Sequence, residues 1–133
     1  ADGRYTRHLV YKSADVELLV LCWARGSRAP IHGHEGERCW ARVERGRLRF
    51  TAWREGSRHP LRVEPVGDAV DGATGYVDGP ADLHSVENLA DWGEDAVSLH
   101  VYSKPYAECD IYDTAEGVVR RVRLQYDSVP ASR

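Results

Sequence analysis

The chain has no methionine, a single phenylalanine and only three cysteines, and it lacks any long apolar run. A membrane span needs about 20 consecutive apolar residues, so the sequence predicts that the protein has no membrane partner. Three widely spaced cysteines are odd in number and make a poor disulfide framework. They are typical of a reducing compartment, and we therefore expect a cytoplasmic protein.

Positive charge is not in excess either. The 18 basic residues are interspersed with 21 acidic ones, which gives a net charge of -3. Nucleic-acid binders gather Lys and Arg into a patch or stripe, so this balance argues against a nucleic-acid partner. A chain of 133 residues buries roughly two-thirds of its unfolded surface, and we expect one domain, residues 1–133, that is monomeric.

Strand-like patterns run through almost the whole sequence. Residues 16–23 form a β-branched and aromatic run, and residues 48–53 alternate until a turn at residues 55–57. Further candidate strands cover residues 40–43, 75–77, 83–88, 96–102 and 118–126. No helical stripe is convincing, so the pattern predicts an all-β sandwich or barrel.

The most informative pattern is His32-Gly33-His34, followed fifty residues later by His84. On a strand, side chains two residues apart point to the same face, so a strand that begins at this pair would let both rings reach one ion. Taken alone, His-x-His is equally compatible with an incidental surface pair. Three imidazoles can hold one metal ion and leave other positions open, and they suit Fe, Cu, Ni and Zn.

Three nearby side chains bear on the ligand set: Glu35, Glu37 and Cys39. On a regular strand both carboxylates point away from the histidines, so we expect neither to be a ligand. The same parity turns Cys39 away from the site. A bend at Gly36 is needed for Cys39 to face inward, and glycine tolerates such a bend.

A second polar cluster lies near the C-terminal end of the chain. Within residues 97–102, Ser98, His100 and Tyr102 share one face of a predicted strand, and three apolar residues share the other. One interpretation is a solvated outer face of the sheet. The other is a buried hydrogen-bond relay that points at the metal, in which case each polar group needs a partner.

The spacing of these residues resembles the two cupin motifs, with a cysteine where the first motif usually has glutamate. The matching residues are Gly26, His32, His34, Cys39 and Gly46 for the first motif, and His84 and Asn88 for the second. The resemblance implies a cupin fold, a small double-stranded β-helix (jelly-roll-like) barrel with a metal in its mouth.

The resemblance is more specific to the cysteine dioxygenase family, and it runs from about Tyr5 to Tyr126. The matching segments occur in the same order at compatible spacing: Tyr5-Thr6-Arg7, residues 21–23, residues 31–34, Cys39, residues 83–88 and residues 96–103. Departures are Gly33 in place of the family's aspartate and Ser103-Lys104-Pro105 in place of Ser-Pro-Pro. A cis bond before Lys104 costs about 2.5–4 kcal/mol, so we expect a different or strained turn there.

This resemblance implies roles for the site residues. His32, His34 and His84 would bind Fe(2+), and Arg7, Tyr5 and Tyr102 would bind the substrate, with the arginine on its carboxylate. Ser98 and His100 would orient the phenol of Tyr102. Cys39 and Tyr102 match the pair that forms a thioether cross-link in animal members. Cys22 is interpreted as core packing, and Cys109 as structural or incidental.

The implied reaction is the oxidation of L-cysteine by O2 to cysteine sulfinic acid, with a small thiol and O2 as the only partners. One alternative is a dioxygenase of another thiol, 3-mercaptopropionate or cysteamine. Family members that use 3-mercaptopropionate tend to have glutamine in place of Arg7, so the arginine favours an amino acid. Less favoured alternatives are a Zn or Mn cupin isomerase or hydrolase, and a cupin that only binds a ligand.

Overall fold

The computed structural model describes residues 4–131, and strands account for most of them. In this part of the chain the strands are β1 (Tyr5–Lys12), β2 (Glu17–Trp23), β3 (Arg28–Gly33), β4 (Arg38–Arg45), β5 (Arg47–Arg58), β6 (Leu61–Pro65), β7 (Val70–Ala73), β8 (Val77–Asp78), β9 (Leu83–Glu87), β10 (Ala96–Ser103), β11 (Glu108–Asp113) and β12 (Val118–Arg123). A single 3-10 turn spans Ala90–Trp92 within the described residues. No helix of the described chain has the length and apolar character needed to cross a membrane.

The strands form two antiparallel sheets. The first has the order β1-β2-β10-β4-β8, and the second has the order β12-β11-β3-β9-β5-β6, with β7 paired to β5. Neighbours in each sheet are therefore often distant in sequence, so residues from several parts of the chain meet on one face. The predicted all-β class is confirmed.

The inward faces of both sheets share one hydrophobic core. From the first sheet, Leu19, Leu21 and Trp23 of β2 alternate inward and are almost fully buried. From the second, Leu48 and Phe50 of β5 pack against them. Burying an aliphatic or aromatic side chain of this kind contributes about 1.5–3 kcal/mol, so these alternating residues fix which face of each strand points inward.

Several predicted strand limits differ from the observed ones. The strand predicted over 48–53 continues to Arg58, because a register shift between Glu55 and Ser57 lets β5 and β6 stay paired through the predicted turn. The strand predicted over 75–77 is only Val77–Asp78, and the last strand ends at Arg123.

Cys22 is exposed, so its interpretation as core packing is wrong. It lies between Leu21 and Trp23 on β2, and both of these neighbours point inward. Successive side chains of a strand alternate between faces, which puts the cysteine on the outer one.

Candidate metal centre

The three predicted metal ligands come together on the second sheet. His32 lies on β3 and His84 on β9, and the two residues are directly opposite each other in the antiparallel pair. His34 follows the end of β3, so the expectation that the histidine pair begins a strand is wrong: the pair ends one. The ring nevertheless reaches the same point as the other two.

A tight turn carries His34 to this position. Glu35 and Gly36 adopt positive φ values of 54° and 75°, and the Glu37 amide donates to the His34 carbonyl at 2.8 Å. The bend predicted at Gly36 is confirmed. Beyond it, Cys39 faces inward on β4 of the opposite sheet.

The ring geometry suits one ion. The Nε2 atom of His84 lies 3.1 Å from the Nε2 atoms of both His32 and His34, and the three candidate ligand atoms all lie within 4.8 Å of one another. Two imidazole nitrogens 3.1 Å apart and each ~2.1 Å from an ion subtend about 95° at it, close to the angle between neighbouring octahedral positions.

Backbone carbonyls set the tautomers of two rings. His32 Nδ1 donates to the Pro30 carbonyl at 2.7 Å, and His34 Nδ1 donates to the Ala81 carbonyl at 3.0 Å. A carbonyl only accepts, so the proton lies on Nδ1 and the Nε2 lone pair is free for a metal. His84 Nδ1 is buried without a hydrogen-bond partner, and the carboxylate of Asp78 lies 4.0 Å away.

Burial keeps these imidazoles neutral. Loss of solvation, followed by the charge of neighbouring His34, lowers the pKa of His32 to about 4. Burial likewise lowers the pKa of His34, and burial together with the neighbouring histidines places the pKa of His84 well below its usual range. Neutral imidazole is the form that binds metal, so the rings need no deprotonation at neutral pH.

No carboxylate of the described chain joins the three rings in the metal-sized cluster. Glu35 instead forms an ion pair with Arg121, and Glu37 accepts a hydrogen bond from the Lys104 amide at 2.8 Å. Both carboxylates thus have partners outside the histidine cluster, and their exclusion from the ligand set stays a prediction. Three uncharged nitrogen donors leave a divalent ion its full charge, and imidazole ligands suit Fe, Cu, Ni and Zn.

Ser98, His100 and Tyr102 point inward on β10 and are buried, which excludes the solvated outer face. The Trp23 indole donates to Ser98 Oγ at 2.9 Å, and Ser98 Oγ and His100 Nε2 are hydrogen-bonded at 2.7 Å. His100 Nδ1 is buried without a partner, and the Tyr102 ring stacks beside His100 with centroids 6.2 Å apart. Burial lowers the pKa of His100 to about 3, so this ring is also neutral.

Cys39 and Tyr102 are directly opposite each other on β4 and β10. Cβ atoms of such cross-strand pairs lie about 4.5–5.5 Å apart, so their side chains are in reach of one another. Burial raises the pKa of the Cys39 thiol to about 12, against the opposing effect of the Tyr102 hydroxyl. Burial also raises the pKa of Tyr102 well above its usual range, so this phenol is a proton donor at neutral pH.

A cavity opens beside His32 and His84. Its polar wall is formed by Tyr5, Arg7, His32, His84, His100 and Tyr102. Its apolar wall includes Leu21, Ala29, Val86, Ile111 and Leu124. A few convergent polar groups on an apolar wall are the usual arrangement of a small-molecule site.

Arg7 is the cationic group of this cavity and is only 8% exposed. Its Nη1 donates to the Gln125 carbonyl at 2.6 Å. Tyr5 stacks on Trp23, with ring centroids 4.7 Å apart, and so forms a rigid wall beside the arginine. A buried guanidinium with further N–H donors is a ready partner for a carboxylate.

Tyr106 was not identified from the sequence. Its ring packs edge-on against Tyr102 at 5.5 Å and against His34 at 6.3 Å, and it lines the cavity. The turn that brings it there contains a cis peptide between Ser103 and Lys104, at the position where the sequence predicts a different or strained turn. The only sequence feature that could have pointed to Tyr106 is its position, an aromatic residue directly after Pro105.

Comparison with known structures identifies the fold. KdgF from a Halomonas species superimposes with a TM-score of 0.60 at 17% identity, over 80% of this chain and 83% of that one. A cupin superfamily protein from Desulfitobacterium hafniense gives 0.58 at 10% identity, over 79% of this chain and 82% of that one. The predicted cupin fold is confirmed.

Sequence comparison identifies the family as well as the fold. Human cysteine dioxygenase type 1 is 31% identical over 128 residues, which cover 94% of this chain and 64% of the human protein. The Danio rerio protein of the same name is 32% identical over 127 residues, which cover 92% of this chain and 63% of that protein. The chain thus spans slightly less than two thirds of these relatives. Residues 2–115 match the family model for cysteine dioxygenase type I, and the chain belongs to this family.

Proposed function

We propose that the protein is an iron-dependent thiol dioxygenase that oxidises L-cysteine with O2 to cysteine sulfinic acid. The observation that carries the proposal is the convergence of three neutral imidazoles, two of which line a cavity that also holds a buried guanidinium. The first feature suits a metal that binds sulfur and O2, and the second suits an amino-acid carboxylate. Family membership supports the same reaction.

His32, His34 and His84 would hold Fe(2+) through their Nε2 atoms. When bound, a ferrous ion on three neutral ligands would favour a thiolate over a thiol and bring sulfur and O2 side by side. Both oxygen atoms then end on sulfur, so no organic cofactor is needed. The protein would hold the three imidazole rings in fixed orientations and leave the other coordination positions of the ion open to substrate and O2.

Arg7 would orient the substrate by its carboxylate. Its planar guanidinium matches a carboxylate in a two-point contact that a lysine ammonium cannot reproduce. The protonated Tyr102 hydroxyl would donate a second hydrogen bond nearby, since burial keeps it from ionising. Trp23, Ser98 and His100 form the buried hydrogen-bonded row beside this phenol.

The apolar wall of the cavity limits the water around the reacting sulfur. Leu21, Val86 and Leu124 offer no hydrogen bonds to solvent. Charges inside a dry cavity interact more strongly than in water, which favours the ion pair between a substrate carboxylate and Arg7. A small amino acid rather than a peptide fits this description.

The direct test is an oxygen-electrode trace with protein, ferrous iron and L-cysteine, followed by identification of the product. We expect one O2 consumed per cysteine sulfinic acid formed, and faster turnover with L-cysteine than with 3-mercaptopropionate or cysteamine. Faster turnover with 3-mercaptopropionate or cysteamine would mean that this thiol, and not L-cysteine, is the substrate. Turnover that depends on zinc or manganese instead of iron, or an absence of oxygen uptake with every thiol, would overturn the proposal.

We further propose that Cys39 and Tyr102 form a thioether cross-link. Both side chains are buried on facing strand positions, and the cysteine sulfur lies close to the phenol. Bond formation between Sγ and a ring carbon removes two hydrogen atoms, with O2 as the oxidant. After incubation with iron and L-cysteine, the intact mass should fall by the mass of these two hydrogens. The Cys39→Ser variant should show no such change, and an unchanged mass in the wild type would refute the cross-link.

The monomeric state, the cytoplasmic location and the lack of nucleic-acid or membrane partners stay predictions from composition. The same is true of the single-domain assignment for residues 1–133.

A further inference from the structure

The segment 125–127 holds Arg7 by both its side chain and its backbone. The Gln125 carbonyl accepts from the guanidinium at 2.6 Å, and the ring centroid of Tyr126 lies 5.4 Å from Arg7 Cζ. The Asp127 amide donates to the Arg7 carbonyl at 2.7 Å, and its carboxylate accepts from the Arg7 amide at 2.8 Å. This segment lies beyond residue 115, where the match to the family model ends.

Tyr126 is itself fixed by a buried acid. Its hydroxyl donates to Glu17 Oε2, and the Lys12 ammonium lies 3.5 Å from the same hydroxyl and 3.9 Å from the Glu17 carboxylate. Burial, together with the hydrogen bond to Glu17, raises the pKa of Tyr126 to about 12. The phenol therefore stays a donor to Glu17 at neutral pH.

Glu17 has no part in the proposed reaction, yet it is only 2% exposed. It lies on β2 opposite Tyr102 and does not line the cavity. A buried carboxylate is costly unless it is paired and hydrogen-bonded. Its partners are the Tyr126 hydroxyl and the Lys12 ammonium, so the acid is satisfied only while Tyr126 keeps its place.

We propose that Tyr126, anchored by Glu17, is a positioning residue that fixes the Arg7 guanidinium for substrates bearing a carboxylate. The aromatic face lies against the cation, where cation–π attraction and contact restrict its rotamers. The guanidinium can then present its free N–H donors to the cavity without first being ordered by the substrate. This inference rests on the proposed function and assigns the positioning of Arg7 to two residues outside the cavity wall, Tyr126 and Glu17.

The test compares two substrates in variants of Tyr126. In Tyr126→Leu, which removes the aromatic face, we expect the KM for L-cysteine to rise about tenfold, with kcat changed less than about twofold. In Tyr126→Phe, which keeps the face and loses the anchor, we expect a rise of about threefold. The KM for cysteamine, which lacks a carboxylate, should stay within about twofold because Arg7 has nothing to bind there.

Two controls separate this effect from general damage. Tyr11→Leu changes an exposed tyrosine of β1 and should leave both KM values unchanged. In the Arg7→Gln background, Tyr126→Leu should have no further effect on the KM for L-cysteine, because interacting residues are not additive. Equal losses for cysteamine and L-cysteine, or full additivity with Arg7→Gln, would overturn the inference.

A second readout needs no turnover. The Nε–Hε NMR resonance of Arg7, assigned by its loss in Arg7→Gln and recorded without iron, should lie upfield because of the Tyr126 ring and should move downfield in Tyr126→Leu. A resonance that is the same in both proteins would overturn the inference. If the wild type oxidises no thiol, the proposed function fails, and this resonance still decides whether Tyr126 holds Arg7.

Discussion

Replacing His84 with alanine is expected to remove bound iron and turnover together. His84 is the central ring of the cluster, since its Nε2 lies 3.1 Å from those of both other histidines. Two remaining nitrogens make a weak site, and we expect roughly a tenth or less of the wild-type iron content. Turnover should fall by roughly a thousandfold or more, because a metal contributes several kcal/mol to a reaction of this kind.

Iron content by elemental analysis is the decisive measurement, because it does not depend on the identity of the substrate. The matched control is His59→Ala, which removes an exposed histidine of the loop between β5 and β6. It should keep wild-type iron and activity, and circular dichroism should show both variants to be folded. Full iron occupancy in His84→Ala would mean that other groups bind the metal and that the ligand assignment is wrong.

The placement of the candidate ligands that lie on strands could be predicted because strand geometry is local. His32 and His84 lie on paired strands, and the inward face of β10 follows from simple alternation of Ser98, His100 and Tyr102. His34 obeys a different rule, since it reaches the cluster through a turn after the strand. The sequence thus predicts that the three rings meet, but strand alternation explains only the positions of His32 and His84. The position of His34 depends on the turn.

The missed residues depend on contacts between distant segments. Tyr106 reaches the site because the chain turns back after β10, and no periodic pattern encodes that turn. Glu17 is different. It stands two residues before Leu19 on the same buried face of β2, so alternation alone could have identified it as a buried acid in need of a partner. The partner, Tyr126, is 109 residues away and could not be inferred from the sequence.

The same alternation explains the error at Cys22. Because Leu21 and Trp23 are buried, the residue between them must face out, however apolar its surroundings in sequence. Composition favours a buried cysteine, but the direction of a strand side chain is set by its parity. Where the two disagree, parity is the better guide on a strand buried on one face.

Arg7→Gln is expected to lower kcat/KM for L-cysteine by roughly a hundred- to a thousandfold, mostly through KM. A hydrogen bond to a charged group contributes about 1.5–3 kcal/mol, and a guanidinium can make two of them to one carboxylate. Glutamine keeps a single neutral donor. Arg7→Lys keeps the charge but loses the two-point contact, so we expect a smaller loss, of roughly ten- to a hundredfold.

A comparison of L-cysteine with cysteamine shows whether the loss of kcat/KM comes from the contact between Arg7 and the substrate carboxylate. Arg62→Gln removes an exposed arginine of β6 and is the control for net charge, with no expected change. Cysteamine carries no carboxylate, so its kcat/KM should be nearly the same in the wild type, Arg7→Lys and Arg7→Gln. A parallel loss with cysteamine would mean that Arg7 supports the shape of the cavity and not the substrate. An unchanged KM for L-cysteine in both variants would mean that the carboxylate binds elsewhere, because a buried guanidinium that holds an anion cannot be neutralised without cost.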